Sequence, residues 1–178
     1  MLVIFLIHTY LYWGTSDRIR VICAKLIFKK SGNIDVINRR VYFGNGTNIV
    51  IGHHSTLGAQ VNIPNDTIIG NYVMISRQTH ILHGNHEFSR IDIPIKLQGD
   101  QGDRQTIIED DVWIGMRSFL TLGRKLKKGT IVAACSVLTK DFDEYTVVGG
   151  NPAHFIKSQN YKYLFSFQWI LEISLGND

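Results

Sequence analysis

Three histidines, spaced three residues apart, stand near the middle of the chain at His80, His83 and His86. The imidazole ring titrates near neutral pH, so a histidine can remove a proton from a hydroxyl, and its neutral nitrogen can bind zinc. A histidine in an exposed loop can equally serve only as a hydrogen-bonding group. The choice between these roles depends on the elements that position the three rings.

Two runs with a six-residue period flank the histidines, from Ile51 to Leu82 and from Ile108 to Thr139. In an α-helix a step of six residues turns through about 600°, which would scatter the repeated positions over several faces. In a strand every sixth residue points to the same side, so the runs predict strands with one buried side. The repeated positions are all aliphatic, namely Ile51, Leu57, Ile63, Ile69, Ile75, Ile81, Ile108, Ile114, Leu120, Leu126, Val132 and Leu138.

Each hexad carries further signals of a corner. Glycine or a turn-forming residue often follows the aliphatic position, and the fourth residue after it is usually small or β-branched. Three such sides make a coil of roughly eighteen residues, and stacked coils bond backbone to backbone at a spacing of about 4.8 Å. The sequence therefore predicts an all-β fold, a parallel β-helix of hexapeptide repeats.

The period divides the chain into three parts and fails once inside the repeat. We expect a helical capping segment at 1–44, the β-helix at 45–157 and a helical tail at 158–178. Residues 83–107 are too polar to pack inside the prism, so they are expected to leave it as an excursion loop. The second and third histidines of the cluster lie in that loop.

The N-terminal segment has two alternative roles. Leu2–Trp13 is apolar but shorter than the roughly 20 residues that span a bilayer, so it is expected to pack on the core or on another subunit. Residues 14–30 have an amphipathic helical pattern with five basic residues, which suits a cap over the open end of the prism. Peripheral contact with a membrane surface is the alternative for both stretches.

Composition excludes some classes of function. The net charge of +4 suits an anionic ligand or membrane, but no nucleic-acid-binding motif is present. Cys23 and Cys135 are too few for a disulfide framework, which favours a reducing, cytoplasmic location. Cys135 replaces a small residue in a regular coil, and we expect it to be a small buried filler.

Several segments together resemble the hexapeptide-repeat acyltransferases. The resemblance covers about residues 45–157 and rests on Val112-Trp113-Ile114-Gly115, Thr139-Lys140-Asp141 and Gly150-Asn151-Pro152-Ala153. Asn85-His86-Glu87-Phe88, with Ile93-Pro94 and Gln98-Gly99, is similar to the branch of galactoside and maltose O-acetyltransferases and capsular or lipopolysaccharide O-acetyltransferases.

The resemblance implies a homotrimer of left-handed β-helices, with each active site between two subunits. It implies acetyl coenzyme A (acetyl-CoA) as donor, a sugar or polysaccharide hydroxyl as acceptor, and His86 as general base, with no metal. The positions that match coenzyme A contacts are Trp113, Ala134, Thr139, Lys140 and Lys157, and the expected acceptor contacts are Asn85 and His83. Three departures from the family pattern are Ala133 and Cys135 in place of glycines, Leu122 in place of proline, and Arg124 at a position that is usually small.

Other functions remain open at this stage. Within acyl transfer, the acceptor could be the amine of an amino sugar or serine. The three histidines also fit a γ-type carbonic anhydrase, an enzyme with the same fold that holds zinc between two subunits. A non-catalytic scaffold would bind no coenzyme A at all.

Overall fold

The computed structural model of the protein describes residues 16–102 and 104–159. A helix, α1, covers residues 16–27, and a short 3₁₀ helix covers Ile95–Leu97. The strands are β1 (Lys30–Ser31), β2 (Val36–Ile37), β3 (Val50–Ile51), β4 (Thr56–Leu57), β5 (Ile68–Ile69), β6 (Met74–Ile75), β7 (His80–Ile81), β8 (Asn85–His86), β9 (Asp100–Gln101), β10 (Ile107–Ile108), β11 (Trp113–Ile114), β12 (Phe119–Leu120), β13 (Lys125–Leu126), β14 (Ile131–Val132), β15 (Val137–Leu138), β16 (Thr146–Gly150) and β17 (Ala153–Ser158).

The short strands form the three faces of a prism. Face 1 stacks β1, β3, β5, β10 and β13, and face 2 stacks β2, β4, β6, β11, β14 and β16. Face 3 stacks β7, β12 and β15. All pairs within these stacks are parallel, and β17 closes face 2 by an antiparallel pairing with β16. This is the left-handed β-helix that the hexad period and the resemblance predicted.

The register of the strand pairs confirms the predicted coil length of 18 residues. Ile51 pairs with Ile69 on the next coil, a step of 18 residues, whereas Ile69 pairs with Ile108, a step of 39. The longer step contains the excursion, so the chain leaves the prism and returns to the same register. The first strands precede residue 45, since β1 and β2 already pair with the second coil.

The repeated aliphatic residues form the core. All twelve are at most 3% exposed, as the six-residue period predicted. Full burial of one such side chain stabilises the fold by about 1.5 to 3 kcal/mol. Most residues four positions later are also buried, among them Ser55, which donates to the Gly70 carbonyl at 2.8 Å and accepts from the Val73 amide at 3.0 Å.

Arg124 occupies one of these inward positions without leaving a bare charge in the core. Its side chain is 16% exposed and donates to the carbonyls of Thr139 at 2.8 Å and Leu122 at 3.3 Å. Asp141 lies 3.5 Å from the same guanidinium. The charge therefore stays at the corner of the coil, where carbonyl oxygens and a carboxylate are available.

The two ends of the chain are described only in part. Helix α1 buries Ala24 in the core, with Phe28 just after it, whereas Ile22, Leu26 and Ile27 are exposed. The apolar stretch Leu2–Trp13 lies outside the described residues, as does all of the helical tail expected at 158–178 except its first two residues. Of those two, Ser158 ends strand β17. Within the described ranges, no helix is long and apolar enough to cross a bilayer.

Candidate active site

The excursion folds as a hairpin outside the prism. β8 and β9 pair antiparallel, with Asn85 opposite Gln101 and His86 opposite Asp100. Gln98 links the loop between them, since its side-chain amide donates to the carbonyls of Arg90 at 2.7 Å and Ile93 at 3.1 Å. The hairpin therefore has its own framework of polar contacts, which sets the position of its histidine.

Glu87 caps the turn that follows β8. Its carboxylate accepts from the amides of Phe88 at 2.9 Å and Ser89 at 3.0 Å. These hydrogen bonds, the one from Ser89 first, lower the pKa of Glu87 below its usual value because they favour the charged form. At neutral pH this carboxylate is committed to the backbone and is not a candidate proton carrier.

His86 and Asp100 form the one polar pair of the hairpin that is suited to proton transfer. The Nδ1 atom of His86 lies 2.7 Å from Oδ1 of Asp100, and both side chains are 76% exposed. A carboxylate accepts only, so the neutral ring must carry its proton on Nδ1 in this contact. The lone pair on Nε2 is then free to accept a proton from another molecule.

A cavity of about 370 Å³ adjoins this pair. It is lined by His86, Ile95, Lys96, Gly99 and Asp100. The cavity thus combines a base, an apolar side chain and a cation. Gly99, whose φ of +85° is in the left-handed region, makes the turn that brings the next residue beside the ring.

The other expected residues of this region lie outside the cavity lining. Asn85 accepts from the His86 amide at 3.0 Å, so it orients the backbone of the base. His83 is exposed. His80 points outward from β7, where its Nε2 lies 3.2 Å from the amide of Asn62 and its ring stacks on Phe119. The structure therefore gives His80 a role in the outer surface of face 3.

A second feature is an apolar groove on face 2, with a volume of about 430 Å³. Trp113 lines it, half-exposed, and the indole N–H donates to Ser76 Oγ at 3.3 Å. Ala134 lines the same groove, so the structure brings these two predicted donor contacts together. The remaining lining residues are Arg77, Gly115, Met116, Ile131, Val132, Ala133 and Val147.

Gly115, which lines this groove, allows two coils to approach closely. A Cβ atom at this position would lie 2.5 Å from the amide nitrogen of Ala134, closer than such atoms pack. Glycine at the corner after Trp113 is therefore a requirement of the stacking.

The remaining predicted donor contacts are not among the residues that line the groove. Thr139 is exposed, and Lys140 lines a separate cavity of about 500 Å³ together with Asp141 and Asp143. Lys157 is exposed on β17 opposite Val147. Their roles toward coenzyme A remain predictions.

The expectation for Cys135 was wrong. The side chain is exposed, and the backbone has a φ of 60° at the corner between faces 2 and 3. Arg117 and Gln78 have the same left-handed φ one and two coils earlier. The third residue after the inward aliphatic is therefore a corner position along this edge of the prism, and the count from Val132 would have shown it.

Sequence reasoning missed Asp100 as a candidate functional residue. Asp100 follows the Gln98-Gly99 pair of the resemblance, which was a signal for its position but not for its partner.

Among residues 16–102 and 104–159, no group of three or more His, Cys, Asp or Glu side chains could hold a metal ion.

Solved structures that are similar to this chain include acetyltransferases. A hexapeptide-repeat acetyltransferase of Vibrio cholerae, solved with acetyl coenzyme A, superposes with a TM-score of 0.70 and 26% identity over 79% of this chain and 76% of its own. A maltose O-acetyltransferase of Clostridium difficile superposes with a TM-score of 0.63 and 27% identity over 79% and 75%.

Sequence comparison finds the same class. A chloramphenicol acetyltransferase of Klebsiella aerogenes is 40% identical over 63 residues, which are 35% of this chain and 30% of the relative. A 2,3,4,5-tetrahydropyridine-2,6-dicarboxylate N-acetyltransferase of Clostridium perfringens is 48% identical over 56 residues, 32% of this chain and 24% of the relative. The chain thus spans less than a third of either curated relative, and no protein-family profile matches it. Fold and sequence together confirm the resemblance to the hexapeptide-repeat acyltransferases.

Proposed function

We propose that the protein is an acetyltransferase that moves acetyl from acetyl-CoA to a hydroxyl of a sugar or polysaccharide precursor. The observation that carries the proposal is the 2.7 Å contact between His86 and Asp100, next to an open cavity on a β-helix of the acetyltransferase type. A hydroxyl attacks a thioester slowly until its proton is being removed. The free Nε2 of His86 supplies a base for that step.

The reaction needs one proton to move twice. His86 takes the proton of the acceptor hydroxyl while its oxygen forms a bond to the thioester carbonyl carbon, giving a tetrahedral oxyanion. Collapse of that intermediate breaks the carbon–sulfur bond, and the protonated ring returns the proton to the leaving thiolate. Asp100 holds the ring in the tautomer that can do this and stabilises its charged form. General acid–base help of this kind is worth about 10² to 10⁴-fold in rate.

We propose that acetyl-CoA binds in the face 2 groove. Its apolar lining suits the uncharged pantetheine arm, and Trp113 supplies a flat apolar surface whose indole N–H is held by Ser76. The Vibrio cholerae neighbour was solved with acetyl coenzyme A, which supports the choice of donor. Thr139, Lys140 and Lys157 are proposed to contact the rest of coenzyme A, the two lysines through its phosphates.

The protein is proposed to act as a homotrimer. The cavity at His86 and the groove at Trp113 share no lining residue within one chain, so a single subunit holds the base and the donor groove apart. A neighbouring subunit would bring its groove to the hairpin of the first. The two unpaired cysteines support a reducing compartment, and we propose the cytoplasm.

Donor binding and base catalysis are tested separately. Acetyl-CoA at about 100 times its Kd should stabilise the folded protein by about 2.7 kcal/mol, which a melting curve detects. His86→Ala should keep that shift and lose about 100-fold or more in thiol release with an accepted sugar. The matched control is His154→Ala, which removes an exposed ring from β17. Full turnover by His86→Ala would contradict the proposed base.

Transfer to an amine is a second candidate, because the Clostridium perfringens relative is an N-acetyltransferase. Alkaline hydroxylamine separates the two outcomes, since it cleaves acetyl esters and leaves amides intact. Loss of the acetyl mass from the product on hydroxylamine treatment is expected. A product that resists the treatment would favour the amine acceptor.

A further inference from the structure

Helix α1 is apolar on two opposite sides, and only one of them is covered by the prism. On the covered side Ala24 is buried in the core, and Val21 packs against it. Arg20 fixes the same side, since its Nε donates to the Ile37 carbonyl at 2.8 Å and its guanidinium pairs with Asp17. These contacts determine which side of the helix remains outside.

The uncovered side carries an apolar stripe. Ile19 and Ile22 are each 59% exposed and Leu26 is 83% exposed, at the i, i+3 and i+7 spacing of one helix face. Cys23 is exposed beside them. We call this surface, made of Ile19, Ile22, Cys23 and Leu26, the outer stripe. A surface helix normally places polar residues there, so the stripe is a candidate docking surface.

Positive charge accompanies the outer stripe. Arg18 and Lys25 of the helix are exposed, as are Lys29 and Lys30 just after it, and Asp17, the acid of this helix within the described residues, is paired with Arg20. In sequence, the apolar run Leu2–Trp13 comes directly before this helix. Apolar residues flanked by lysines match the boundary between anionic headgroups and acyl chains.

We propose that the outer stripe docks the protein on an anionic phospholipid bilayer, with the stripe below the headgroups and the lysines among the phosphates. A second copy paired through the same surface would bring two sets of these lysines together, because such an interface uses one patch twice. Docking on lipid uses both the apolar and the cationic features. The proposal does not depend on acetyl transfer.

The two cysteines allow a direct test on the full chain. In Cys135→Ser protein, an environment-sensitive fluorophore on Cys23 reports the surroundings of the outer stripe. Vesicles with about 30% phosphatidylglycerol in phosphatidylcholine are expected to shift its emission to the blue and to carry the protein into the pellet. Vesicles of phosphatidylcholine alone, or high salt, are expected to reduce both signals strongly.

Paired variants separate the outer stripe from other surfaces. Two double variants change exposed side chains of this region, namely Ile22→Ser with Leu26→Ser and Lys25→Glu with Lys29→Glu. Each should weaken partitioning onto anionic vesicles about tenfold or more. Matched controls elsewhere are Ile91→Ser, at a fully exposed apolar residue of the excursion, and Lys128→Glu, at an exposed lysine. Both controls should bind as the parent protein does.

Three results would overturn the proposal. The parent protein could stay in the supernatant with anionic vesicles, or the stripe variants could sediment as fully as the controls. A blue shift that depends on protein concentration and needs no vesicles would assign the stripe to a second copy. Thiol release from acetyl-CoA, measured without vesicles, reports the proposed enzyme activity separately, so the two failures are distinguishable.

Discussion

Asp100→Asn tests whether the carboxylate beside His86 orients the base. Asparagine has nearly the same shape, but its amide nitrogen can donate to Nδ1, which moves the ring proton to Nε2 and blocks proton acceptance there. The charge is lost as well. Because both side chains are 76% exposed, the pair is worth only about 1 kcal/mol or less to folding, so the melting temperature should change little.

The effect on catalysis should be larger than the effect on folding. Loss of about 1 kcal/mol of stabilisation of the charged ring lowers the rate about fivefold, and population of the wrong tautomer lowers it further, so we expect a fall in kcat of about 10 to 100-fold. KM for acetyl-CoA should not change, because the donor groove has no residue in common with this pair. Steady-state assays that vary donor and acceptor separately give both constants.

Asp92→Asn is the matched control for this change. Asp92 is an exposed carboxylate of the same hairpin, but its partner is Arg90, with Nε at 2.9 Å. The control removes one negative charge and one ion pair without touching the base. Full kcat in Asp100→Asn, or an equal loss in Asp92→Asn, would refute the view that Asp100 positions the ring.

Three further outcomes follow from the groove and the coil faces. Trp113→Ala should raise KM for acetyl-CoA about tenfold with a smaller change in kcat, since it removes a ground-state contact; an unchanged KM would place the donor elsewhere. Gly115→Ala should destabilise the fold by about 1 to 3 kcal/mol because its Cβ would lie 2.5 Å from a backbone nitrogen, whereas Gly84→Ala, with nothing within 4 Å, should not. The pKa of Glu109 is lowered, first of all by the hydrogen bond from Lys125, because that bond favours the charged carboxylate. The stabilisation of the fold by this pair is therefore present above the usual glutamate pKa and is lost as the pH falls through the lower pKa of the folded state. The difference in melting temperature between the parent protein and Glu109→Gln should shrink in that acidic range. A difference that stays constant with pH would contradict the pairing.

The sequence determined the prism because its signal is local and repeated. Six is a multiple of the two-residue strand period, so each of the twelve aliphatic positions had to face one interior, and all are buried. The excursion was equally visible, since a polar run cannot fill that interior. The family signature added Trp113 and Ala134, which the fold places in one groove.

Only the tertiary structure decided which groups meet in the candidate site. The two-residue strands of the hairpin have no periodicity to detect, so the pairing of His86 with Asp100 depends on where the loop closes. The exposure of Cys135 depends on corner geometry, because a left-handed φ turns that side chain outward. The outer stripe of helix α1 was present in the sequence as a pattern, but its exposure depends on which side of the helix the prism covers. A repeated pattern fixes an interior, whereas contacts between distant segments depend on chain closure.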